Sequence, residues 1–222
     1  MTDEAAPVRR ARGRPPRPEA TQERRKQLLS AAIEVFGQFG YHQATMQQVA
    51  ARTGISVGLI YQYFDDKEAL LFAVINEILD SYLRELPRAL AAETDPLARL
   101  RAGVHAYCRV VDEHRSAALV GYREYRALSR ARMRQVVAKE REATALIGDA
   151  VQACRAAGQL DVADPELLTY HIVVFVHSWA LNAWRFTPPI GRDAYVERGL
   201  ALLIDPARKA VAKVPRRRKS AG

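Results

Sequence analysis

Residues 54–64 read GISVGLIYQYF, a stretch that carries neither an acid nor a base. Its groups are suited to contact rather than to bond breaking. The Gln62 amide can pair in both directions with a hydrogen-bonding edge, and the Tyr61 and Tyr63 hydroxyls can reach an anion. Gly58 has no side chain, so a partner surface can come close, and Val57 and Leu59 offer apolar contact. Groups that could do catalysis are present but not assembled. The five histidines, His42, His105, His114, His171 and His177, include no H-E-x-x-H pair. His171 and His177 are six apart and point to different helix faces. Cys108 and Cys154 lie far apart, which is neither a disulfide framework nor a zinc pattern. No glycine-rich phosphate loop occurs. The sequence therefore implies no catalytic set, no metal and no cofactor.

The contact groups need a scaffold. Thr45 followed by Met46, Val49 and Ala50 predicts a short capped helix to Arg52. Thr53-Gly54-Ile55 reads as a turn, and Ser56 caps a second short helix to about Tyr63. Two short helices across a three-residue turn with glycine form a helix-turn-helix, with Val49, Ile55 and Ile60 meeting inside the corner. Such a corner sends its second helix into the DNA major groove. There Val57 and Leu59 can meet a thymine methyl and Gln62 a base edge. Tyr61 and Tyr63 can hold phosphates, and Lys67 adds a charged phosphate contact.

The remaining elements also read as helices. Leu28, Leu29, Ala32, Ile33, Val35 and Phe36 stripe a helix that starts at Thr21 and ends at Gly40. Asp65 caps a long helix, with Glu68 at the capping-box position, and Pro87 stops it. Asp95-Pro96 opens a helix to about His114, Ser116 one to about Leu128, and a long helix follows to Gly158. Asp164-Pro165 opens a helix to Phe186, and a last one runs from about Asp193 to Ile204. No alternating strand pattern and no repeat occurs. The fold class is all-α, with the division 1–18 as a basic arm, 19–65 as a helix-turn-helix domain, 66–205 as a ligand-binding and dimerisation domain and 206–222 as a basic tail.

The 222 residues are 49% hydrophobic, and the net charge is +9. That excess sits at the ends: residues 1–26 hold eight basic and four acidic side chains, and residues 205–222 hold seven and one. Basic ends on a nearly neutral body favour a polyanionic partner. The basic, proline-rich N-terminus has no apolar leader region, and the longest apolar run, 172–176, is too short to span a bilayer. A soluble, cytoplasmic protein is expected. Arg12-Gly13-Arg14-Pro15 resembles the core of an AT-hook, in which both arginines enter a narrow minor groove.

The segment SAAIEVFGQFGYHQATMQQVAARTGISVGLIYQYFDDKEALLFAVI resembles the DNA-binding domain of the tetracycline-repressor (TetR) family. The likeness is carried by Phe36, Gly40, Tyr41 and Thr45, by the V-A…G-I-S core, by Tyr61 to Phe64 and by the D-K-E-A-L that follows. It implies a three-helix DNA-binding domain, a larger helical ligand-binding domain and a homodimer on a palindromic operator. By position it implies that Thr45, Gln47, Ser56, Val57, Gly58, Tyr61, Gln62, Tyr63 and Lys67 face DNA. Val57 stands where many members carry a basic or polar residue. The helices at 165–186 and 193–204 correspond to the pair that joins the two subunits.

The ligand site is read from the helical remainder. His105, Tyr107, Cys108, Tyr122, Tyr125, Phe175, Trp179 and Asn182 are candidates, either as contacts to a ligand or as core. An amide such as Asn182, set between Trp179 and Phe186, needs a hydrogen-bond partner. Arg123, Arg126, Arg130, Arg132 and Arg134 form either a solvated face or a phosphate-holding mouth. The region 96–142, with the later Trp179 and Trp184 to Phe186, loosely resembles the ligand domains of lipid-responsive repressors in the family. It implies a small apolar effector such as an acyl-CoA. The alternative is a cationic drug-like effector, for which Glu85, Glu113, Glu124, Glu140 and Glu142 supply counter-charges.

Overall fold

The computed structural model describes residues 18–207. Its described residues form helices and connecting turns, with no strand. α1 (Pro18–Gln43) buries Leu28, Leu29, Ala32, Val35 and Phe36. It bends at Gly40, whose φ of 74° lies in the left-handed region that favours glycine, and helical backbone resumes to Gln43. α2 (Met46–Thr53) opens on a reciprocal cap. Thr45 Oγ1 accepts from the Gln48 amide at 3.2 Å, and Gln48 Oε1 accepts from the Thr45 amide at 2.8 Å. Gly54, φ 67°, closes it. α3 (Val57–Ile60) is capped by Ser56, whose Oγ accepts from Leu59 N at 3.3 Å. It is shorter than the sequence predicts, because residues 61–63 tighten into turns through Gln62 N to Leu59 O and Tyr63 N to Ile60 O. Val49, Ile55 and Ile60 are buried in the corner.

α4 (Lys67–Ala91) departs from expectation at both ends. Its cap is Asp66 rather than Asp65, with Oδ1 accepting from Ala69 N at 2.5 Å. Glu68 turns away from the cap to accept a bond from Ser129. The helix also runs through Pro87. An interior proline costs about 3 kcal/mol. Burial of Leu86 and Leu90 on either side, at roughly 1.5–3 kcal/mol each, offsets it. The Arg99 Nε that donates to Leu90 O at 3.1 Å holds the last turn.

The larger bundle follows the predicted caps closely. α5 (Pro96–Glu113) and α8 (Pro165–Asn182) start on Asp95 and Asp164, each accepting an amide bond at 2.9 Å. α6 (Arg115–Glu124) passes into a 3-10 turn at Tyr125–Ala127, and α7 (Arg130–Ala156) is capped by Ser129. α8 likewise ends in a 3-10 turn, Ala183–Arg185, and α9 (Arg192–Leu203) follows. α5 is the central helix and packs on α4, α7, α8 and α9. Gly103 permits this. A Cβ there would meet Leu90 at 2.8 Å and Ile147 at 3.3 Å. α1 packs on α2, α4 and α6, so one continuous core joins the two parts.

Candidate nucleic-acid interface and ligand cavity

The α2–α3 corner presents a polar outer face. Gln47, Ser56, Gly58, Tyr61 and Gln62 are exposed, and Tyr61 retains 49% of its surface. Val57 and Tyr63 are partly buried against the core. The hydroxyls of Thr45 and Ser56 serve as helix caps. The side chains of Gln47, Tyr61, Gln62 and Tyr63 make no hydrogen bond among the described residues, so their polar atoms are available to a partner. Nothing lies within 4 Å of where a Cβ at Gly58 would stand. Internal packing therefore gives no reason for glycine there.

Lys67 behaves differently from the sequence expectation. Its Nζ donates to Tyr41 O at 2.7 Å, Ala44 O at 2.8 Å and His42 O at 3.3 Å, and it sits 4.5 Å from the centre of the Tyr41 ring. An ammonium has three donors, and all three are engaged. They satisfy carbonyls left over beyond the Gly40 bend, so Lys67 is a clamp between α1 and α4. Arg12 and Arg14 lie outside the described residues.

Below the corner, the α6–α7 turn ties to the end of α1 and the start of α4. Arg123 Nη1 donates to Gly37 O of α1 at 3.3 Å. Ser129 N donates to Glu68 Oε1 at 2.7 Å, and Arg132 Nη1 lies 3.1 Å from Asp66 Oδ1 and 3.3 Å from Glu68 Oε1. The Ala69 amide, with Arg132 behind it, holds the Asp66 carboxyl below its ordinary range, and the Ser129 amide does the same for Glu68. Arg123 and Arg132 thus grip the end of α1 and the start of α4, while Arg126, Arg130 and Arg134 are exposed. None of the five lines either of the two cavities of the bundle. Arg126 bonds its neighbour Tyr125 at 3.2 Å and faces solvent.

Two cavities sit in the bundle. The inner one, about 380 Å³, lies among α4, α5, α6, α7 and α8, with walls of Ile75, Ile78, Leu79 and Val136. The outer one, about 660 Å³, opens between α7 and α8. Tyr122, Val137, Glu140 and His177 line both. Tyr122 hydrogen bonds His177 Nδ1, and the Tyr82 hydroxyl lies 3.5 Å from Nε2. Burial lowers the His177 pKa to about 4, so the ring is neutral, accepting at one nitrogen and donating at the other. Burial also raises the Tyr82, Tyr107 and Tyr122 phenols.

Of the predicted ligand residues, Tyr122 and Tyr125 line the inner cavity. The others are placed elsewhere. His105 Nε2 pairs with Glu197 Oε1 at 2.6 Å on the α5–α9 surface. Cys108 is fully buried, and burial beside Asp112 pushes its thiol up to about 12. Trp179 Nε1 donates to Asp112 at 2.7 Å. Phe175 stacks on Tyr195 with ring centres 4.4 Å apart, in space that exists only because residue 199 is glycine. Asn182 ends α8, and Arg123 reaches α1. Tyr107 stands behind the cavity wall, edge-on to Tyr82 and His177. Sequence reasoning missed Tyr82 and His177. Their signal was faint: each is one polar tip on an otherwise apolar helical stripe.

On its outer side α8 leaves Leu167, Tyr170, Val174 and Leu181 exposed, Tyr170 and Val174 at the rim of the outer cavity, joined by Trp184 and, from α9, Leu202. No helix among the described residues is long and apolar enough to cross a membrane.

Comparison with known proteins adds to this geometry. A family model described as "Bacterial regulatory proteins, tetR family" matches residues 28–74, and one described as "Tetracyclin repressor-like, C-terminal domain" matches 93–181. The chain is 40% identical over 204 residues to the HTH-type transcriptional regulator HbdR of Aromatoleum sp. (strain CIB), covering 90% of this chain and 89% of that protein. Among solved structures it resembles a tetR-family regulatory protein from Rhodococcus RHA1, with a TM-score of 0.72 and 27% identity, over 81% of this chain and 96% of that one. It shares the fold of AibR, solved in complex with isovaleryl coenzyme A and operator DNA. There the TM-score is 0.70 at 19% identity, over 81% of this chain and 97% of that one.

Proposed function

Because the chain belongs to the tetR family of bacterial regulatory proteins, and is thus a DNA-binding transcriptional regulator and not an enzyme, we propose that it is a homodimeric repressor released from a palindromic operator by an acyl-CoA-type effector. The observation that carries the DNA half is the outer face of the corner, where Gln47, Tyr61 and Gln62 offer unengaged polar groups around an unobstructed Gly58. Gln47 and Gln62 read base edges, Tyr61 and Tyr63 hold phosphates, and Thr45 and Ser56 set the two helices through their caps. The exposed apolar face of α8 and α9 meets the same face of a second copy.

The effector half rests on the inner cavity and what surrounds it. Tyr122 and Tyr125 line it, and the residues next along the chain, Arg123, Ser129 and Arg132, hold α1 and the start of α4. A ligand that displaces the two tyrosines shifts that turn, and with it the head. Two recognition helices must stand roughly 34–36 Å apart, or a multiple, to read both half-sites. A ligand that favours another spacing therefore releases DNA. The thioester class is supported by the apolar cavity and by the shared fold with AibR.

A second reading has its own observation. The charged groups lining the outer cavity are Glu140, Asp149 and Glu166 against Arg141, a balance that favours a cationic effector. The test is an operator complex challenged with acyl-CoA thioesters, free fatty acids and lipophilic cations, read by the shifted band. Release by thioesters is expected. Release by cations alone would replace the first reading with the second.

A further inference from the structure

We propose that Glu140 is a specificity determinant of the cavity, and that it selects an effector whose buried end carries a hydrogen-bond donor such as a hydroxyl. This rests on the reading above only in that an effector occupies the cavity. Glu140 projects from α7 onto the wall common to both cavities. Its carboxylate makes no hydrogen bond and no ion pair among the described residues. The groups around it are committed elsewhere. Tyr122 and Tyr82 direct their hydroxyls to His177, which is neutral. Lys139, the preceding residue, reaches away to pair with Asp80. Arg141, the next residue, lines the outer cavity and makes no ion pair among the described residues.

Several other acids on this bundle are paired. Glu197 pairs with Arg101 and His105, Glu85 with Arg84 and Arg88, and Asp112 with Trp179 and Arg192. Glu140 keeps much of its solvent exposure while the wall stands open, yet the surrounding protein already raises its pKa through desolvation. An effector seated on this wall would bury that carboxylate, which is costly without a donor. Behind it, the Tyr107 hydroxyl is buried with no hydrogen bond of full geometry, and Thr144 is the polar neighbour that acts on it. The wall shared by Tyr122, Glu140 and His177 is thus polar, beside the aliphatic side formed by Ile75, Ile78, Leu79 and Val136. A plain alkyl end would strip the remaining water from Glu140 and return nothing. A hydroxyl end would supply the missing donor as a charge-assisted bond. A carboxylate end would be repelled.

The test compares acyl-CoA thioesters of one chain length that end in methyl, hydroxyl or carboxylate, titrated against the wild type, Glu140→Gln and Glu140→Leu. In the wild type the hydroxyl ligand should bind about tenfold tighter than the methyl one, and the carboxylate ligand weakest. Glu140→Leu should erase the hydroxyl preference, and Glu140→Gln should admit the carboxylate. The same ranking in wild type and Glu140→Leu would overturn the proposal. If no thioester binds any of the three, the acyl-CoA reading fails and a second pair decides about Glu140: dodecan-1-ol and its methyl ether, read by thermal shift. The alcohol should stabilise the wild type more than the ether, with no difference in Glu140→Leu. Equal effects in the wild type, or none from either probe, would overturn it.

Discussion

Adding one methyl group at residue 58, in the variant Gly58→Ala, sets folding against DNA reading. The position is helical and exposed, and a Cβ there meets no protein atom within 4 Å. Alanine at such a site loses less entropy on folding than glycine, so the variant should be more stable by about 0.4–1 kcal/mol. On DNA the opposite is expected. If the backbone of α3 lies against the groove, the methyl group overfills a packed contact, at about 1–3 kcal/mol. That corresponds to a roughly 5- to 150-fold loss of affinity. Urea unfolding measures the first quantity, and fluorescence anisotropy on an operator duplex measures the second. A variant that binds its operator as tightly as the wild type would refute the close approach of α3. A variant that loses both binding and stability would refute the claim that Gly58 is free of internal packing.

Tyr61→Phe should weaken binding by about 1–2 kcal/mol on every duplex alike, because a phosphate bond carries no sequence information; a changed preference in a binding-site selection would assign Tyr61 to a base instead. Arg132→Ala should leave effector affinity unchanged while reducing effector-driven release, since Arg132 touches Asp66 and Glu68 but neither cavity; titrating effector with and without operator separates the two. His177 has a folded pKa of about 4 against an ordinary 6.5, so the unfolded chain binds more protons between those values. The stabilisation, about 3 kcal/mol at most, should be complete above pH 6.5 and fall away as pH drops toward 4. His177→Gln should flatten that part of the melting profile. Gly199→Ala should lower stability by about 1–3 kcal/mol, because the Phe175 ring comes within 2.0 Å of the new Cβ position; in a Phe175→Ala background the added cost should vanish in a double-mutant cycle.

Local signals were legible in the sequence. Thr45, Asp95-Pro96 and Asp164-Pro165 announce helix starts because a cap needs only residues three positions away. The helix-turn-helix was legible for the same reason: its corner closes within twenty residues. Pro87 misled because its local penalty is outweighed by leucines packed against other helices. The clamping role of Arg123 and Arg132 was not legible because their partners, Gly37, Asp66 and Glu68, are remote in sequence. A cavity is harder still. Tyr82, Tyr122, Glu140 and His177 come from four helices, and nothing in any one of them marks a shared wall.

The outer cavity has a consequence for how the molecule behaves in a population. Tyr170 and Val174 line it and also stand on the exposed face of α8. A second copy seated on that face, as in the proposed homodimer, would close the cavity from outside. Filling the cavity and pairing of subunits then become linked equilibria, each shifting the other by mass action. Apparent effector affinity would rise with total protein, and a cell holding few copies would answer to a different effector threshold from one holding many.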